Sequence, residues 1–108
     1  MKDNLTKTQI RDQISVAERE LAEPDGRAIR LWNRIKIPAS CWSQSQYPID
    51  STFWVIAVMG NRCLYFNHVE GGWGWGQYQE RGRIESYHCQ QDEIQHVVFQ
   101  ALFAIDNG

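Results

Sequence analysis

The run Phe53-Trp54-Val55-Ile56-Ala57-Val58-Met59 leaves this chain little choice of architecture. In an extended chain, successive side chains point to opposite faces. An unbroken apolar run therefore makes both faces of the strand apolar, and both must be covered. Gly60-Asn61 follows as a two-residue hairpin signal. Arg62 to His68 then returns antiparallel, carrying Leu64, Tyr65 and Phe66. Gln77 to Gln79 fits a short edge strand. Arg81-Gly82 turns the chain, and Arg83 to His88 reads as a further strand with Ile84 and Tyr87 on opposite faces.

Helical patterns flank this β region. Ile10, Ile14, Ala17 and Leu21 recur at helical spacing. Thr6 and Gln9 fit a capping box that starts a helix near Lys7, and Glu23-Pro24-Asp25-Gly26 stops it. A second helix runs from about Gln91 to Ile105, with Ile94, Val97, Val98, Ala101, Leu102 and Ile105 as its apolar stripe. Asp92 and Glu93 fall in its first turn, where the helix dipole favours negative charge. The order predicts an α+β fold, with an antiparallel sheet of about four strands and an N-terminal and a C-terminal helix packed on it. A chain of 108 residues makes one such domain.

Residues 28–37 fit two patterns. Ile29, Leu31, Ile35 and Ile37 alternate with Arg30, Trp32, Arg34 and Lys36, as in a strand; Ala28, Leu31, Trp32 and Ile35 also fit helical spacing. The alternation and the β-branched residues favour a strand ended by Pro38. Residues 39–51 carry Ser, Gln, Pro and Asp and read as a loop, pinned to the core by Trp42 and Tyr47.

Gly71-Gly72-Trp73-Gly74-Trp75-Gly76-Gln77-Tyr78 reads as a surface loop with aromatic content. If extended, it places Trp73 and Trp75 on one face and its glycines on the other. Aromatics supply contact area, and glycine lets another backbone or ring come close. Exposed, Trp73 and Trp75 with Tyr78, Arg81 and Glu70 would make a partner-binding patch, because Trp, Tyr and Arg dominate interface energetics. Folded back, the same tryptophans would cover a sheet edge. They could also stack on sugar rings.

The net charge of -2 gives no general drive toward nucleic acid or anionic membrane, so neither is an expected partner. Arg27, Arg30, Arg34 and Lys36 do cluster, as a solvated face. No apolar run approaches the ~20 residues of a membrane span. Cys41, Cys63 and Cys89 form no CxxC pair, and the N-terminus has no apolar signal region; a reducing, cytoplasmic compartment is expected.

Catalytic signals are sparse. GxSxG, P-loop, dinucleotide and HExxH motifs are absent. His88, Cys89, Asp92 and His96 are metal-ligand types, and Asp92 and His96 are spaced to share a helical face. That face is opposite the apolar stripe, so solvated side chains and no metal or other cofactor are expected. Cys63, between apolar neighbours, reads as a buried inert thiol. Cys89, just before a helix, has a reason for a lowered thiol pKa.

Phe53-Trp54-Val55 through Gly60, Leu64-Tyr65-Phe66-Asn67-His68-Val69-Glu70-Gly71-Gly72, Gly82-Arg83-Ile84 and Tyr87-His88-Cys89-Gln90-Gln91-Asp92-Glu93-Ile94 resemble small bacterial proteins. In these, a Trp-Val strand precedes a Tyr-Asn-x-x-Glu-Gly segment and an Asn-Gln-x-Glu-Leu helix start. Some resemble immunity proteins of toxin systems. This chain departs from the pattern at Phe66, at His68 and in its Gly-Trp-Gly-Trp-Gly tail. The resemblance implies a non-enzymatic protein whose partner is another protein, a bacterial toxin, and it brings no catalytic residues with it. The alternative is a small-ligand or carbohydrate module built on the Trp-rich loop.

Overall fold

A computed structural model describes residues 4–44, 52–87 and 91–107. The expected hairpin forms between β2 (Thr52–Met59) and β3 (Arg62–Asn67), with Met59 opposite Arg62 across Gly60-Asn61. β3 continues into β4 (Gly72–Gln77) through a turn built by Asn67. Asn67 Oδ1 accepts from the N–H groups of Val69 at 3.0 Å and Glu70 at 3.1 Å. Gly71 donates its N–H to the Asn67 carbonyl at 2.7 Å and takes a φ of 85°, which L side chains resist. On its other side β2 pairs with β1 (Lys36–Gln44). The short β5 (Arg83–Ile84) joins β1 in parallel, so the sheet order is β4-β3-β2-β1-β5.

This sheet curls until its edges meet. Just past β5, the Ser86 carbonyl accepts from Gln77 N–H, and Glu85 N–H donates to the Gln77 carbonyl, both at 2.8 Å. Gly76 sits beside the seam. A Cβ there would lie 3.0 Å from the Ser86 carbonyl oxygen, 3.1 Å from Ile84 Cγ2 and 3.3 Å from Tyr65 Cδ1. The close approach expected of this segment's glycines is made here, and only a residue without a side chain permits it.

The curl divides the core in two. Its inside is aromatic: Phe53, Tyr65 and Tyr87 have ring centroids 5.4 to 6.0 Å apart, with Trp42, Val55, Cys63 and Ile84 around them. Its outside is covered by the helices α1 (Lys7–Leu21), α2 (Arg27–Ile35) and α3 (Ile94–Asn107). Ile10, Ala17, Leu21, Ile94, Val97 and Val98 pack there over Ile56, Leu64, Phe66 and Trp73. Ile56 and Ala57 both face the helices although adjacent, because the β2–β3 register shifts between Val55 and Ala57. Among the described residues no helix is long and apolar enough to cross a membrane.

The fold is α+β, as expected, with its elements redistributed. The capping box of α1 forms on Thr6 and Gln9. Residues 27–35 are helix, not strand. Asp25 Oδ1 accepts the Arg27 N–H, Gly26 holds φ 71° at the N-cap, and Ala28, Trp32 and Ile35 bury one helical stripe. Residues 36–44, expected as part strand and part loop, are all β1. Its serines and Gln44 pair with β2 and β5, and Pro38 lies where the register shifts, so no ladder N–H is missed. Tyr47 lies outside the described residues. The Gly-Trp segment is β4, not a loop. Ile84 and Tyr87 share the inner core rather than opposite faces. α3 starts at Ile94, because the Asp92 carbonyl is committed to the Trp73 N–H at 2.9 Å and holds the chain extended. Val98 is fully buried and Leu102 half-buried.

Gly76→Ala should destabilise by about 1–3 kcal/mol, the overpacking range, through the seam rather than the helices. Ile94→Ala, in the outer core, should cost about 2–5 kcal/mol. Urea unfolding curves measure both; a Gly76→Ala midpoint equal to that of the native chain contradicts the seam.

Candidate functional site

Tryptophan placement decides where a site can be. All five indole N–H groups find acceptors. Trp32 of α2 donates to Glu18 of α1 at 2.8 Å, and Trp42 to Ser40 Oγ at 3.1 Å. Trp54 of β2 donates to the Leu5 carbonyl at 2.8 Å. Trp73 donates to Gln13 Oε1 of α1 at 2.8 Å, and Trp75 to the Val97 carbonyl of α3 at 3.2 Å. Trp73 and Trp75 do share one face, as the alternation requires, and it is the face beneath the helices. Trp73 is 2% exposed and pairs across strands with Phe66, ring centroids 5.1 Å apart. It has no free face to offer a partner. Trp75 is half-buried.

The five patch residues are not brought together. Glu70 lies in the turn before β4, while Tyr78 and Arg81 follow its far end, a six-residue strand away. Tyr78 is a structural residue. Its hydroxyl donates to the Gly60 carbonyl at 2.9 Å, its N–H to the Asn61 carbonyl at 2.9 Å, and its ring meets Trp42 edge-on at 5.2 Å. Arg81 is exposed.

A different surface emerges beside Trp73. The N-terminal end of α3 stands off from α1 and leaves a cleft of about 460 Å³. Phe66 and Trp73 reach its base; Asp12, Asp92 and Glu93 stand around it; Val16, 45% exposed, forms its apolar lip. Amide side chains complete the rim. Gln91 Nε2 donates to the Glu70 carbonyl at 2.8 Å, and Gln95 Nε2 to Glu93 Oε2 at 2.7 Å. Glu70 thus borders this rim through its backbone. The cleft combines an apolar aromatic base with carboxylates, which suits the stem and the charged head of a long cationic side chain. The signal in the sequence was Asp12 at one turn from Val16 on a helix, with Asp92-Glu93 eighty residues on; nothing local joins them.

His88 and Cys89 lie outside the described residues. Asp92 precedes α3 in a bridge to Trp73, whereas His96 is inside the helix and exposed, so the two do not share a helical face. Among the described residues, no three His, Cys, Asp or Glu side chains gather to hold a metal ion. Cys63 is buried in the inner core, and desolvation pushes its thiol up from 9.0 to about 12, the Gly76 backbone hydrogen bond opposing weakly. The thiol stays neutral. Cys41 is exposed.

No protein-family model matches the chain, and no solved structure matches it. Over 70 residues it is 31% identical to the C-type lectin domain family 4 member A of Rattus norvegicus. That likeness takes in 62% of this chain and 29% of the rat protein, so the chain spans less than a third of that relative's length.

Two measurements check this geometry. Trp73→Ala should lose about 3–5 kcal/mol, as for a core tryptophan; an unchanged melting temperature would put the indole outside the core. Native protein at pH 8 should show a fast thiol reaction at Cys41 and none at Cys63, which reacts only on unfolding. The raised Cys63 pKa adds stability that is fully present below pH 9 and fades as pH rises toward 12. Cys63→Ser should remove that decline from an alkaline unfolding series.

Proposed function

We propose that this chain is a non-enzymatic, cytoplasmic protein-binding module, and that its partner is a bacterial toxin it neutralises by occupying a basic surface. One observation carries the reading: the cleft between α1 and α3 sets Asp12, Asp92 and Glu93 around an aromatic base. An arginine or lysine of the partner would lay its apolar stem over the Phe66 and Trp73 edges and bring its charged head to the carboxylates. Val16 adds an apolar contact at the lip, and the amide rim offers donors and acceptors for a partner backbone. The resemblance to immunity proteins supplies the class of partner. The binding anchors are then Asp12, Val16, Asp92 and Glu93, with Trp73 supporting from beneath and Glu70 shaping the rim.

The partial likeness to a rat C-type lectin favours a second reading, a carbohydrate module. A second cleft, of about 410 Å³, is lined by Trp75, Gln77, Gln100 and Arg62. Its half-buried indole and planar polar groups suit a sugar ring.

The test uses Asp12→Lys with Glu93→Lys. Both residues are exposed, so the melting temperature should stay within a few degrees, on the ~0.5 kcal/mol scale of surface changes. Native chain should form a one-to-one complex with a basic protein from its source cells, and the double variant should lose it. Retention of the partner at full affinity overturns the cleft. Binding to an oligosaccharide array, lost in Gln100→Ala and indifferent to the charge reversal, establishes the carbohydrate reading instead.

A further inference from the structure

The other end of α3 carries a surface of opposite character. Arg27, Arg30 and Arg34 stand on α2 at successive turns and are all exposed. They border a groove of about 300 Å³ whose floor is Leu31 of α2 with Leu102 and Ile105 of α3. Leu31 and Leu102 are half-buried, while Ile105 is 56% exposed. Neighbouring Phe103 is 69% exposed. Among the described residues Arg30 reaches a backbone acceptor, the Asp25 carbonyl at 3.4 Å. Among the described residues no carboxylate forms a salt bridge with Arg30 or Arg34, whereas Lys36, the fourth basic residue of the run, pairs with Glu18 at 3.6 Å.

Charge and shape together select an occupant. A phosphate backbone would satisfy the guanidinium groups and leave the leucine and isoleucine floor in water. A flat lipid surface would meet the arginines but would not enter a groove. The chain's net charge of -2 and the carboxylates at the far end of α3 also oppose a polyanion. A helix bearing carboxylates along one edge and leucine-like residues along its face satisfies both requirements. Arg30 and Arg34 stand one turn apart, about 6 Å at 1.5 Å per residue, so acids one turn apart on the occupant match these two arginines. Arginine and carboxylate pair in bidentate fashion, which fixes the register.

We propose that the α2–α3 groove docks an acidic amphipathic helix from a partner protein. This surface is separate from the α1–α3 cleft and opposite to it in charge, so the chain can hold two partners, or two parts of one, at once.

The probe is a fluorescently labelled synthetic helix of about 18 residues, long enough to be helical, with leucines at i, i+4 and i+7 and glutamates beside them. A control replaces every glutamate by lysine. Anisotropy titrations in ~0.1 M salt should show binding of the glutamate helix and none of the lysine helix. Arg30→Glu with Arg34→Glu should weaken it at least about ten-fold, as for paired interface charges. Ile105→Asp, an exposed position, should weaken it comparably, and both variants should keep the native melting temperature. Asp12→Lys with Glu93→Lys should leave it unchanged, which separates this proposal from the cleft. Absence of binding, equal binding of the lysine helix, or indifference to the arginine reversal overturns the proposal. So does arginine-dependent binding of phosphatidylserine vesicles or duplex RNA by a chain that ignores the glutamate helix.

Discussion

A buried indole N–H must find an acceptor, and in this protein that requirement is what fastens the helices to the sheet. An unmade hydrogen bond at a buried donor costs about 1–3 kcal/mol. Here the bonds cross between elements. Trp73 binds β4 to α1 through Gln13, Trp75 binds β4 to α3 through the Val97 carbonyl, and Trp54 ties β2 to the segment before α1. Trp32 then links α2 to α1 through Glu18. Each helix is therefore located by a directional bond as well as by apolar contact, which alone would allow it to slide. Gln13 is exposed and looks dispensable on a helical wheel, yet its amide oxygen sets where α1 sits over β4.

The same requirement explains why the Gly-Trp segment misleads a reader of sequence. Glycine content marks it as a loop by composition. In the fold the glycines sit on a strand, and at Gly76 they answer a close approach from a residue ten positions on. That approach exists only once the sheet has curled, so no local pattern announces it. The tryptophans were legible as a shared face, but the residues left open whether that face turns outward or folds back. By contrast the β2–β3 hairpin, the capping box at Thr6 and the apolar stripe of α3 as far as Ala101 depend on neighbours in sequence, and they stand where the residues imply; beyond them Leu102 is half-buried and Ile105 is exposed. At 28–37 two periodicities overlap, and Asp25-Gly26, a helix start as much as a helix stop, decided for the helix. β1 is hard to see because only Trp42 and Gln44 of its nine residues are buried. The α1–α3 cleft was the least legible feature, since it joins residues from the two ends of the chain.

Charge is sorted along α3. Asp92 and Glu93 stand at its N-terminal end and the α2 arginines beside its C-terminal half. Both placements agree with the helix dipole. An overall charge of -2 hides this separation. A charged molecule approaching this surface would meet two fields of opposite sign, which favour one orientation over the other.

The parallel join of β1 to β5 bears on how the chain reaches this structure. The β2–β3–β4 meander forms between near neighbours, and the link from Gln77 to Ser86 spans nine residues. Ser43 meets Gly82 across 39 residues. Loop-closure entropy rises with that span, and long-range pairing slows folding. Until the ring closes, one side of β1 is an open strand edge, able to pair with another chain. In the finished molecule β5 covers that edge at Ser43 and Gln44. That end of β1 is thus closed by the pairing with the longest loop to order.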